Sequence, residues 1–70
     1  AIAVAQRLVD DEPLSDHAAR RLMRLHHRRG DLGAALATYQ RLAVRLAQEL
    51  GELPDDETAA LAASLRQGQA

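Results

Sequence analysis

Three breaks cut this chain into four stretches with a helical apolar period. Pro13 with Ser15, Gly30 with Asp31, and Gly51 followed by Asp55 and Asp56 mark the breaks. Proline lacks the N–H that a helix interior needs. Glycine enters the left-handed conformation that ends helices. Serine and aspartate accept hydrogen bonds from the free N–H groups that start them. Between the breaks apolar residues recur at three- and four-residue intervals, the spacing of one helix face. No stretch has the alternation of a strand. The pattern predicts an all-α chain of about four helices. Its connections are only a few residues long, which favours antiparallel helical hairpins.

The first helix is expected over residues 1–9, with Ala1, Val4, Ala5 and Leu8 on its apolar face. The second is expected from about 16 to 29, capped by Ser15, with Ala18, Leu22 and Leu25 as its stripe and Ala19, Met23 and His26 alongside. The third is expected from about 32 to 50, capped by Asp31. Leu32, Ala35, Leu36, Tyr39, Leu42, Ala43, Leu46 and Leu50 form its broad apolar face. At about 1.5 Å per residue it is close to 28 Å long. Tyr39 is expected with its ring buried and its hydroxyl at an edge. The fourth helix starts at Asp55 or Asp56 and is anchored by Leu61 and Leu65.

Seventy residues make one small domain, taken as residues 1–70. A chain this short buries only about 60% of its unfolded surface. Its non-methionine start and loose "RQGQA" end read as a piece of a longer protein. There is no cysteine, hence no disulfide framework and no thiolate metal site. No apolar run approaches the roughly 20 residues that span a bilayer, and no secretory pattern is present. A cytoplasmic location is the expectation, with no membrane contact.

The net charge is −1, with all nine cations arginine. Their distribution is uneven. Residues 17–29 carry five arginines and no acid, whereas Asp10, Asp11, Glu12 and Asp16 cluster before them and Glu49, Glu52, Asp55, Asp56 and Glu57 cluster later.

A shift of 34 residues superposes Ala1, Ala5 and Leu8 on Ala35, Tyr39 and Leu42. That is the period of the tetratricopeptide repeat, whose pattern wants a small residue at a close helix contact and an aromatic four later. The repeat is degenerate. Ala19 stands for its Trp, Met23 for its Gly, His26 for its Tyr, and Ala47 where Pro would end it. The array expected is tetratricopeptide-like and right-handed.

The stretch "RGDLGAALATYQRLAVRLAQELGELPDDETAAL" is more specific. It resembles the bacterial transcriptional activator domain of regulators of the SARP type. Gly30, Asp31, Ala35, Leu36, Tyr39, Arg41, Leu42, Leu46, Glu49, Leu50, Gly51, Pro54, Glu57, Thr58 and Leu61 match that family's pattern, and "RLVDDEPLSDHAARRLMRL" resembles its preceding helices. Glu52-Leu53 departs from it. The resemblance implies a tetratricopeptide-like domain that makes protein contacts, for dimerisation or with the transcription machinery. DNA binding then belongs to a separate winged-helix domain of the parent chain.

Sharper readings of single motifs give way to plainer ones. Arg29-Gly30-Asp31 spells an adhesion tripeptide, but helix end, glycine stop and aspartate cap account for all of it. His26 and His27 point about 100° apart on a helix, and His17 lies about 13 Å from His26 along the axis, so they do not make a metal site. Ser15, Thr38, Thr58 and Ser64 have no base placed by the sequence, and no glycine-rich phosphate loop exists. No enzyme, cofactor or small-molecule substrate is expected.

The arginines carry the remaining ambiguity. Arg20, Arg24 and Arg28 on helix two, with Arg41 and Arg45 on helix three, are the candidate partner-binding residues. A solvated face paired with neighbouring acids is the plain alternative. Direct phosphate contact would need several cations on one face. A helix-turn-helix reading fails because the helix after Gly30-Asp31 is mostly apolar. The function expected is a protein-interaction module of a bacterial transcriptional activator. The alternatives are a scaffold repeat without a transcription role, and a nucleic-acid-binding module acting through helix two.

Overall fold

The computed structural model describes residues 2–68. Among them are four helices and no strand: α1 (Ile2–Asp11), α2 (Asp16–Arg28), α3 (Leu32–Leu50) and α4 (Asp56–Arg66). The capping residues are those the sequence predicts. Ser15 Oγ accepts from the Ala18 N–H at 3.1 Å. Asp31 Oδ1 accepts from the Ala34 N–H at 3.0 Å. Asp55 Oδ1 accepts from the Thr58 N–H at 2.8 Å.

The α2–α3 corner is the tightest. The Asp31 N–H donates to the His26 carbonyl and the Gly30 N–H to the His27 carbonyl, both at 2.9 Å. With Gly30 at φ 77°, these two bonds make a Schellman motif. Asp31 therefore closes α2 with its backbone and opens α3 with its side chain.

Two boundaries move. α1 continues to Asp11 instead of stopping at residue 9. Pro13 excludes the helical conformation only from the residue just before it, and the Glu12 N–H still reaches the Leu8 carbonyl at 2.9 Å. α2 ends at Arg28, with Arg29 as its cap.

Helix α2 is central. It packs against α1, α3 and α4, while α3 and α4 also pack together and α1 has no other helix as a backbone neighbour. Ala19, early in α2, clusters with Leu42 and Leu46. Met23, one turn on, clusters with Ala35, Ala62 and Leu65. Thus α3 runs against α2. Arg20 reaches Thr58 near the start of α4, and Met23 meets Ala62 and Leu65 further along, so α4 runs with α2 and against α3. The core is made of Leu, Met and Ala, and its alanines let the helices approach closely.

The faces differ from expectation in three places. Val4, placed on the α1 stripe, is 62% exposed. With α2 as its one neighbouring helix, α1 covers only a narrow strip around Ala5. Ala1 of that stripe lies outside the described residues. Leu32 and Leu50, at the two ends of α3, are also exposed; Leu50 lies where this 19-residue helix outreaches its antiparallel 13-residue neighbour α2. Conversely, Thr38 and Thr58 enter the core. Thr38 Oγ1 donates to the Ala34 carbonyl at 2.9 Å. That leaves no unmatched polar group there.

Tyr39 packs on the Met23 cluster and is half-buried. The Arg66 guanidinium stands 5.6 Å from the centre of its ring, within cation–π range.

Candidate functional site

The five candidate arginines do not form one surface. They separate into three environments.

Arg20 belongs to a tie between α2 and α4. Its side chain is only 11% exposed. Nη1 donates to both Asp55 carboxylate oxygens at 3.0 Å and to Thr58 Oγ1 at 2.9 Å. Nε lies 3.4 Å from Glu57 Oε2. The Thr58 hydroxyl in turn donates to Asp55 Oδ1 at 2.7 Å. The Asp55 carboxyl is held below the usual carboxylate range, first by the Thr58 hydroxyl and the Thr58 N–H, against a smaller cost of desolvation, and then by Arg20. Both Nη1 and Nε of Arg20 are engaged by groups at the start of α4, so this residue is part of the packing between helices.

Arg24 and Arg28 stand on the open side of α2. With His17 and Arg21 they fall within an arc of about 60° around the helix, given 100° per residue. Arg24 has one distant acid, Glu57 Oε2 at 4.0 Å. Arg21 and Arg28 have no ion-pair partner among the described residues. Two shallow depressions meet at Arg24 and Arg28. One, of about 310 Å³, is completed by His17, Arg21 and Leu25. The other, of about 200 Å³, is completed by His27, Leu61 and Leu65 at the α2–α4 groove. Two guanidinium groups one turn apart thus form a ridge between two hollows, one touched by Leu25 and the other by Leu61 and Leu65.

Arg41 and Arg45 lie elsewhere, on α3. They flank a cleft of about 190 Å³ between α1 and α3, floored by Ala19, Leu22 and Leu42 and closed by Val9 and Pro13. Arg45 is engaged within its helix, its Nε 3.0 Å from Glu49 Oε2.

Sequence reasoning named Arg20 for this surface and missed Arg21. The available signal was spacing: positions 17, 21, 24 and 28 are separated by four, three and four residues, which keeps them on one face. Among the described residues no three histidines, aspartates or glutamates gather as metal ligands, and no helix is long and apolar enough to cross a membrane.

The family described as bacterial transcriptional activator domain matches residues 1–66. The chain belongs to that family. No curated protein matches it, and no solved structure does. The match reaches the last residue of α4, so all three arginine environments lie inside the activator domain. Much of its recognisable pattern is structural here. Gly30 and Asp31 build the α2–α3 corner, Gly51 ends α3 at φ 65°, and Glu57 and Thr58 hold Arg20. The open arginines of α2 lie outside those pattern positions.

Proposed function

We propose that this activator domain is a protein-interaction module, serving dimerisation or contact with the transcription machinery in a bacterial transcriptional activator. The observation that carries the reading is the α2 arc. Arg24, with one distant acid, and Arg21 and Arg28, with no ion-pair partner among the described residues, stand there beside hollows that Leu25, Leu61 and Leu65 help to line, which suits a peptide with carboxylates and apolar side chains. A nucleic-acid backbone offers no apolar counterpart to Leu25, Leu61 and Leu65, so DNA contact is assigned to a separate domain of the parent. The packing order, with α2 and α4 parallel and α3 opposed, supports a tetratricopeptide-like array. The reading places the domain in the cytoplasm and includes no catalytic step, cofactor or small-molecule substrate. Thr38 and Thr58, two of its few hydroxyls, are already engaged in structural hydrogen bonds.

The test is Arg24→Glu with Arg28→Glu in the regulator that carries the domain. Both positions are exposed, so circular dichroism should show unchanged helicity. Reporter transcription should fall several-fold. Full activation by the folded variant would remove α2 as the contact face. A generic scaffold role predicts that full activation, and direct DNA binding predicts instead a steep salt dependence of binding to a DNA duplex by the isolated domain.

A further inference from the structure

We propose that the segment seated on the α2 arc is supplied by a second copy of the chain, through its α3–α4 loop. The proposal rests on the interaction-module reading and names its partner.

The loop has the chemistry that the arc lacks. Leu53 is 85% exposed and Leu50 53% exposed. Between and beyond them stand Glu52 and Asp56, both exposed and neither bound through its side chain to any hydrogen-bond or ion-pair partner among the described residues. An apolar side chain in an acidic setting is the complement of Leu25 among Arg21, Arg24 and Arg28. Within one chain Glu52 and Asp56 make no ion pair with Arg24 or Arg28, and only Glu57, in the first turn of α4, comes near Arg24, at 4.0 Å. The Asp55 N–H donates to Asp16 Oδ1 at 3.0 Å, which fixes the loop at the N-terminal end of α2. Arg24 and Arg28 lie 8 and 12 residues on, about 12 and 18 Å along the helix axis.

That separation gives α2 a polarity, acidic loop at one end and cationic ridge at the other. Two copies related by a two-fold axis, with their α2 helices antiparallel, bring each loop onto the other's ridge. The contact is then made twice, as a closed symmetric pair requires. A net charge of −1 puts little overall repulsion in the way.

Exchanging the charges tests this directly. One variant carries Arg24→Glu and Arg28→Glu. The other carries Glu52→Arg and Leu53→Arg, two exposed positions outside any helix. Mass is read by sedimentation across a dilution series, with circular dichroism as the folding check. The native chain should dimerise, and added salt should weaken the dimer. Each variant alone should be monomeric, since like charges now face each other. Their equimolar mixture should dimerise again, because both contacts are restored. A native chain that stays monomeric overturns the proposal, as do variants that dimerise alone or a mixture that does not. The module reading is judged separately by transcription. A monomeric native chain whose Arg24/Arg28 variant still loses activation keeps that reading and rejects the second copy as partner.

Discussion

Thr58 is fully buried, and a hydroxyl there is tolerated because it both donates to Asp55 and accepts from Arg20. Asp55 has three tasks at once. It caps α4, receives the Thr58 hydroxyl and pairs with Arg20. Its lowered pKa gives a stability contribution with a definite sign. The contribution is present above the ordinary carboxylate pKa, about 4. It is lost as pH falls through the lower folded value. Asp55→Asn keeps a capping acceptor but removes the charge, so its melting temperature should lie below the native one at neutral pH. The gap should close as pH falls from about 4 downward; thermal melts from pH 7 to pH 2 read this, and a constant gap would show that the charge is idle. The cap was legible in the sequence, but the tie from Asp55 and Thr58 to Arg20 was not. Arg20 looks like its neighbours Arg21 and Arg24, and its partner Asp55 is 35 residues away. Only the packing of α4 on α2 tells them apart.

At the scale of the element, the helix ends were legible because each signal is local. Ser15, Asp31 and Asp55 all cap a group three residues on, within reach of any reading of the chain. The covered face of α1 was legible only in part: Ala5 of the expected stripe is buried, whereas Val4 is exposed. Its apolar residues fit more than one side, and the choice is made by where α2 lies. The α2–α3 corner gives a sharp prediction. A Cβ built on Gly30 meets nothing within 4 Å, so Gly30→Ala adds no clash. The cost is the left-handed backbone alone, about 1–2 kcal/mol, readable from urea unfolding midpoints. A neutral substitution would mean that the corner relaxes out of its Schellman geometry.

For the whole molecule, the order of contacts matters more than the size of the core. α2, α3 and α4 brace one another, whereas α1 leans on α2 alone. Amide hydrogen exchange should therefore show α1 opening first, with the other three helices protected as one unit. Uniform protection across all four would contradict this. The all-α class and the four helices were legible from periodicity; the branching of contacts around α2 was not, since it depends on pairs far apart in the chain. The central place of α2 has a mechanical meaning as well. Its exposed arc is the outer side of the one helix that every other helix touches. A partner that grips the arc takes hold of the molecule at its hub, and any push or twist delivered there is transmitted to all three neighbours at once. The same force applied to the free side of α1 would move a single leaf.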